Sequence, residues 1–150
     1  MGQLTLSSEI AASIDTVFAF HLDPRNAGRI SPSGMRVVSV EAPPEVQRGD
    51  EIGLAVRQRP LPLTQHWRVR IAEVDRPVAI VDVALEGPFR SWRHEHLFTF
   101  AGEGRTLLTD RITYELPFGA LGRLADRLVV RRMLLRAFRE RHARTRALLG

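Results

Sequence analysis

The segment from Ser91 to Leu116 constrains the fold most. Trp92, His94, His96, Phe98 and Phe100 alternate with Ser91, Arg93, Glu95, Leu97 and Thr99, the two-residue period of a strand. Gly102-Glu103-Gly104 follows as a three-residue hairpin loop with glycine where positive φ is needed. Leu108, Asp110, Ile112, Tyr114 and Leu116 then share one face of a return strand. Centring the hairpin on Glu103 pairs Phe98 with Leu108, His96 with Asp110, His94 with Ile112 and Trp92 with Tyr114. Face and register agree at every pair, and a one-residue slip would break them all. Two histidines and a carboxylate are thereby placed on the apolar face of a hairpin.

Upstream segments extend the same pattern. Leu4, Leu6 and Ser8 alternate as a first strand over Thr5–Ile10. Ser13 suits an N-cap, opening a short helix through Val17, Phe18 and Phe20. Asp23-Pro24 ends it and starts a second helix over Arg25–Ile30, broken by Pro32-Ser33-Gly34. Val37–Val40, Ile52–Val56, Gln65–Ile71 and Val78–Leu85 read as further strands, the third with Gln65, Trp67, Val69 and Ile71 on one face. Folding back at Glu86-Gly87-Pro88, the strand before the hairpin brings Asp82 opposite Trp92 or His94.

The last stretch, Gly119–Gly150, reads as one long helix after an elbow at Phe118-Gly119, roughly 45 Å at 1.5 Å per residue. Leu121, Leu124, Leu128, Leu135, Phe138 and Leu149 form its apolar stripe. Arg132 and Arg139 fall in the same sector and His142 beside Leu124. Polar groups on an inner helix face are costly without partners or a wet cavity. The predicted architecture is therefore α+β: about six to seven antiparallel strands, strongly curved around a long C-terminal helix, with two short helices after the first strand and one domain over residues 1–150.

Several function classes find no support. Without cysteine there is no disulfide or thiol chemistry. No glycine-rich phosphate loop or nucleophile elbow is present, so no cofactor is expected. No apolar run suits a membrane span and no secretion signal is visible, which makes a cytoplasmic protein the expectation. All 22 basic residues are arginine. Nine of them lie between Leu121 and Leu149 against Asp126 and Glu140, yet no aromatics interleave with them. A solvated face is expected rather than a nucleic-acid surface, and contact with anionic lipid is the weaker reading.

The order of elements, together with Gly87-Pro88-Phe89, Trp92, His94, His96, Phe98, Asp110, Tyr114, Pro117, Gly119 and Leu121, resembles the START-like (SRPBCC) superfamily. The closest resemblance is to bacterial ligand-binding members related to polyketide cyclase/dehydrase-like proteins. The resemblance implies the helix-grip fold, with a cavity between sheet and helix for a hydrophobic or amphipathic small molecule (lipid, quinone or polyketide-like), in a monomer or homodimer. The expected ligand-binding residues are Trp67, Asp82, Trp92, His94, His96, Asp110, Tyr114, Leu128, Arg132, Leu135 and Arg139. His94, His96 and Asp110 are catalytic candidates, because an inward His–Asp pair can fix a tautomer and make a general base. The same residues suit a self-satisfied buried polar network, and their spacing matches no familiar zinc pattern, so no metal is expected. The alternatives to a binding protein are a cofactor-independent cyclase or dehydratase and a peripheral membrane carrier of lipid or quinone.

Overall fold

The structure, a computed structural model, describes residues 1–150. One seven-stranded antiparallel sheet runs in the order β1-β7-β6-β5-β4-β3-β2. Its strands are β1 (Gly2–Ile10), β2 (Met35–Glu41), β3 (Glu51–Gln58), β4 (Thr64–Asp75), β5 (Ala79–Glu86), β6 (Ser91–Phe100) and β7 (Thr106–Glu115). Strands β2 to β7 form a meander, and β1 adds to the free edge of β7. Between β1 and β2 come α1 (Ile14–Leu22) and a 3-10 helix, Pro24–Ile30. The second short helix of the sequence reading is thus a tighter 3-10 helix, with the Asp23 side chain capping its first turn. Ser13 caps α1, accepting from the Thr16 amide. This is the helix-grip architecture.

The β6–β7 register is Trp92↔Tyr114, His94↔Ile112, His96↔Asp110 and Phe98↔Leu108, centred on Glu103 as expected. On the other side of β6, Asp82 lies opposite His94. Register irregularities at Arg68/Val69 and Ile71/Glu73 of β4 and at Val37/Ser39 of β2 bend the sheet, since each bulge adds local twist. The connecting loop is longer than the sequence suggested, running from Ala101 to Arg105. Phe100, on the same strand face as the buried Phe98, is 69% exposed. Parity fixes the face a side chain takes; coverage depends on how far the packed layer above extends.

The C-terminal helix is continuous but not uniform. It comprises α2 (Gly119–Ala125), a π turn (Asp126–Val130) and α3 (Arg131–Leu149). Phe118 enters it at φ 73° and Gly119 at φ 52°, which makes the elbow. Gly122 packs against the strand exit so closely that a Cβ there would stand 2.2 Å from the Pro117 carbonyl oxygen.

The apolar stripe is where the sequence reading needs correction. Leu121 and Leu128 are 72% and 62% exposed, Leu124 is also exposed, and so are Arg132 and Arg139. The seated face of α3 is Leu134, Phe138, His142 and Thr145, with Leu149 beside the core of α1 and the sheet. Those five positions fall within roughly 80° of arc at 100° per residue. The π turn supplies one extra residue, so a phase fitted through Leu121 and Leu128 does not carry into α3. Leu135 lies to one side of the seated arc and is half-buried.

Side-chain bonds fasten this helix to the sheet. The Tyr114 hydroxyl donates to Asp126 Oδ1 at 2.5 Å, joining β7 to the π turn. Burial, then that hydrogen bond, pushes the Tyr114 phenol up to about 12. Gly2 is needed opposite, because a Cβ there would stand 2.5 Å from the Tyr114 ring. Arg131 donates to the Gln3 carbonyl at 2.6 Å, and Glu140 accepts from the Ser33 amide at 2.8 Å.

Candidate functional site

A cavity of about 430 Å3 lies between the curved sheet and the segments that cover it. Its walls come from the inner faces of β3, β4, β5 and β6, the end of α1, the 3-10 helix and α3. Strand parity explains why β4 contributes Gln65, Trp67, Val69 and Ile71 together. Most of the lining is apolar. Towards the β5–β6 turn it is aromatic: Trp67, Phe89 and Trp92 pack with centroids 4.8–5.8 Å apart.

The polar groups gather around β6. His94 Nε2 lies 2.6 Å from Asp110 Oδ1, and His142 Nε2 lies 2.5 Å from Asp110 Oδ2. An ionised carboxylate only accepts, so both nitrogens carry the proton. His142 Nδ1 meets the Ser8 hydroxyl at 2.8 Å, and His94 Nδ1 is left with a free lone pair. On the other flank His96 Nε2 donates to Asp82 Oδ2 at 2.9 Å. His96 Nδ1 is buried without a hydrogen-bond partner, 3.4 Å from Asp110 Oδ1. The two imidazoles of β6 stack with centroids 3.7 Å apart, a spacing that disfavours charging both. Neighbouring strands supply the bonds diagonally: His94 faces Ile112 and reaches Asp110, while His96 faces Ile80 and reaches Asp82.

The electrostatics follow from burial and these bonds. Burial alone would raise Asp110; the His94 charge and the His142 and His94 hydrogen bonds outweigh it and hold the carboxyl well below its ordinary value. Asp82 is lowered in the same way, its burial outweighed by the His96 hydrogen bond. His94 is lowered by burial and by His96. His21, in the last turn of α1, is lowered to about 4, first by burial and then by His96. Its Nδ1–H donates to the Val17 carbonyl at 2.8 Å, so Nε2 keeps its lone pair. The polar end therefore presents His21 and His94, both held below the ordinary histidine value, beside two carboxylates held below theirs. Asp82, His94 and His96 also offer donor atoms within 4.8 Å of one another, a set that a divalent cation could engage.

Of the residues expected at the site, Trp67, Asp82, Trp92, His94 and His96 line the cavity. Asp110 is buried behind His94. Tyr114 is committed to Asp126 rather than free for a ligand. Leu128, Arg132, Leu135 and Arg139 are not part of the wall, which α3 builds instead from Met133, Leu134, Ala137, Phe138 and Arg141. His21 and Arg141 were not singled out by the sequence, and His142 was noted without being joined to Asp110. Phe138, His142, Thr145 and Leu149 recur at helical spacing and could have given the phase; nothing marks His21 or Arg141 among their neighbours.

A family model described as polyketide cyclase / dehydrase and lipid transport matches residues 1–150. The chain belongs to this family. Solved structures agree on the fold. A Thermus thermophilus protein, 18% identical, aligns over 99% of this chain and 100% of its own with a TM-score of 0.74. A Chromobacterium violaceum protein, 11% identical, covers 99% and 98% with a TM-score of 0.77. A START superfamily protein from Mycobacterium smegmatis, 14% identical, covers 97% and 98% at 0.69. No match is found among curated proteins. Family and fold together support a ligand-binding or cyclase-type role. No helix is long and apolar enough to cross a membrane.

Proposed function

We propose that the protein binds a hydrophobic or amphipathic small molecule, of lipid, quinone or polyketide-like character, between the sheet and the C-terminal helix. One observation carries this reading: the cavity of about 430 Å3, apolar along most of its wall and polar at one end. That size falls in the range of small-molecule sites, roughly 300–1,000 Å3. Native mass spectrometry of the purified protein tests it. The expected result is a bound small molecule that disappears in Ala137→Trp, which fills the cavity from α3. A bound mass that survives the filled cavity contradicts the reading.

A second reading, cofactor-independent cyclase or dehydratase chemistry, is favoured by the His94–Asp110 pair. Asp110 fixes the His94 proton on Nε2 and leaves Nδ1 free as a base. His96, stacked on His94, is the other candidate base. His94→Ala or His96→Ala would then abolish turnover while ligand stays bound; full turnover in both variants removes the reading.

A third reading, a peripheral carrier that loads at a membrane, is favoured by exposed Phe118, Leu121, Leu128 and Val129 beside Arg123, Arg127 and Arg132. Sedimentation with anionic vesicles at low and high salt decides it, since electrostatic contact must weaken as salt rises.

A further inference from the structure

Arg141 is the only arginine or lysine in the cavity wall. It projects from α3 one turn beyond Phe138, with its guanidinium carbon 5.5 Å from the Phe138 ring centroid. No carboxylate lies within ion-pair distance of it. Other arginines of the chain do pair, among them Arg144 with Glu140 at 3.2 Å and Arg105 with Glu9 at 3.3 Å. Nor does Arg141 donate a hydrogen bond to any protein atom, whereas Arg131 and Arg25 reach backbone carbonyls. Contact with an aromatic face leaves the in-plane N–H donors of a guanidinium unspent.

Its surroundings make this costly. Burial lowers the Arg141 pKa, and its charge reaches His21 and Asp82, which places it at the polar end. Arg141 is half-buried and its unspent donors open into a largely apolar cavity, where an anion is the natural complement. The carboxylates nearby are already engaged. Their charges support the guanidinium from a distance, but neither bonds it: Asp110 accepts on both oxygens from histidines and Asp82 accepts from His96.

We infer that the ligand of this cavity is an amphipathic carboxylate, its head group seated on the Arg141 guanidinium and its apolar body lying toward Trp67 and Trp92. A planar carboxylate matches the two-pronged donor geometry of arginine. The imidazole lone pairs of His94 and His21 lie at the same end and would accept from any hydroxyl the head group carries. This inference rests on the binding function proposed above and names the chemical class of the ligand.

Decanoate and its neutral counterpart 1-decanol separate the two ideas. Binding is followed by calorimetry and by the fluorescence of Trp67 and Trp92, the only two tryptophans, both in the cavity wall. The expected result on the unaltered protein is decanoate binding at least roughly tenfold tighter than 1-decanol, the scale of one charge-assisted contact. Arg141→Met should erase that preference while 1-decanol still binds, and Arg141→Lys should restore part of it. Equal or tighter binding of 1-decanol to the unaltered protein overturns the carboxylate assignment and leaves the cavity reading standing. Failure of both probes to bind overturns the two together. The comparison on the unaltered chain decides the matter even where a variant does not fold.

Discussion

Asp110 and Asp82 flank the same strand and each holds one of its histidines, yet they do different work. Asp110 is saturated: His94 from β6 and His142 from α3 occupy its two oxygens, and its side chain is 5% exposed. Asp82 accepts from His96 alone, is 14% exposed and forms part of the cavity wall. The first ties the sheet to its covering helix; the second belongs to the space between them. The same pair of residue types becomes a strut where both carboxylate oxygens accept from histidines and a site where one oxygen is left over.

Removing the strut should have the largest effect. Asp110→Ala leaves two buried imidazole N–H groups without an acceptor and should cost about 3–5 kcal/mol in urea unfolding, against about 1 kcal/mol or less for Asp82→Asn, whose neutral oxygen can still accept from His96. Similar losses in the two variants would erase the distinction. His142→Ala removes the helix side of the strut and the bond to Ser8, and should cost about 2–3 kcal/mol. A loss that small substitutions on the outer helix face also produce would argue that His142 is not a tie.

Acid sharpens the same contrast. His21 and His94 have folded pKa values below the ordinary ~6.5. The unfolded chain therefore binds more protons as pH falls, and stability declines from about pH 6.5 down to about 4 for His21. Asp110 and Asp82 are depressed as well, so their contribution is present above ~4 and is lost as pH falls toward their folded values. All four act in one direction. The melting temperature should be insensitive to these groups between pH 7 and 8 and should fall below about pH 6. In Asp110→Asn the part of the decline below about pH 4 should be shallower; an unchanged slope there would count against Asp110 as its source.

The smallest effect is expected at the head of the long helix. Leu128→Ser should change stability by no more than about 0.5 kcal/mol, because Leu128 is already in solvent. Leu134→Ala, on the seated face, should cost about 2–4 kcal/mol.

The hairpin was legible in the sequence because its signal is doubly determined: a two-residue period on each strand and a glycine-flanked centre that fixes the register. His94, His96 and Asp110 come together for that reason. Their actual hydrogen bonds were not legible, since a strand pattern shows which residues are opposite and not that both histidines reach diagonally. The helix was harder. Its length and its elbow could be read, but leucines on both sides of the π turn compete for the inner stripe. A phase that starts from Leu121 then points Arg132 and Arg139 inward and hides Arg141 among the nine arginines. His21 carries no local mark, for its role depends on where the end of α1 lands against β6.

Three methionines offer the most direct test of the central claim, that a guest occupies the space between sheet and helix. Met35 and Met133 line the cavity from opposite sides, and Met1 is exposed at the chain start. With the methyl groups labelled with carbon-13, addition of decanoate should shift the Met35 and Met133 resonances in a saturable way and leave Met1 in place. Three unmoved signals, or three that drift together without saturation, would contradict a ligand in that space.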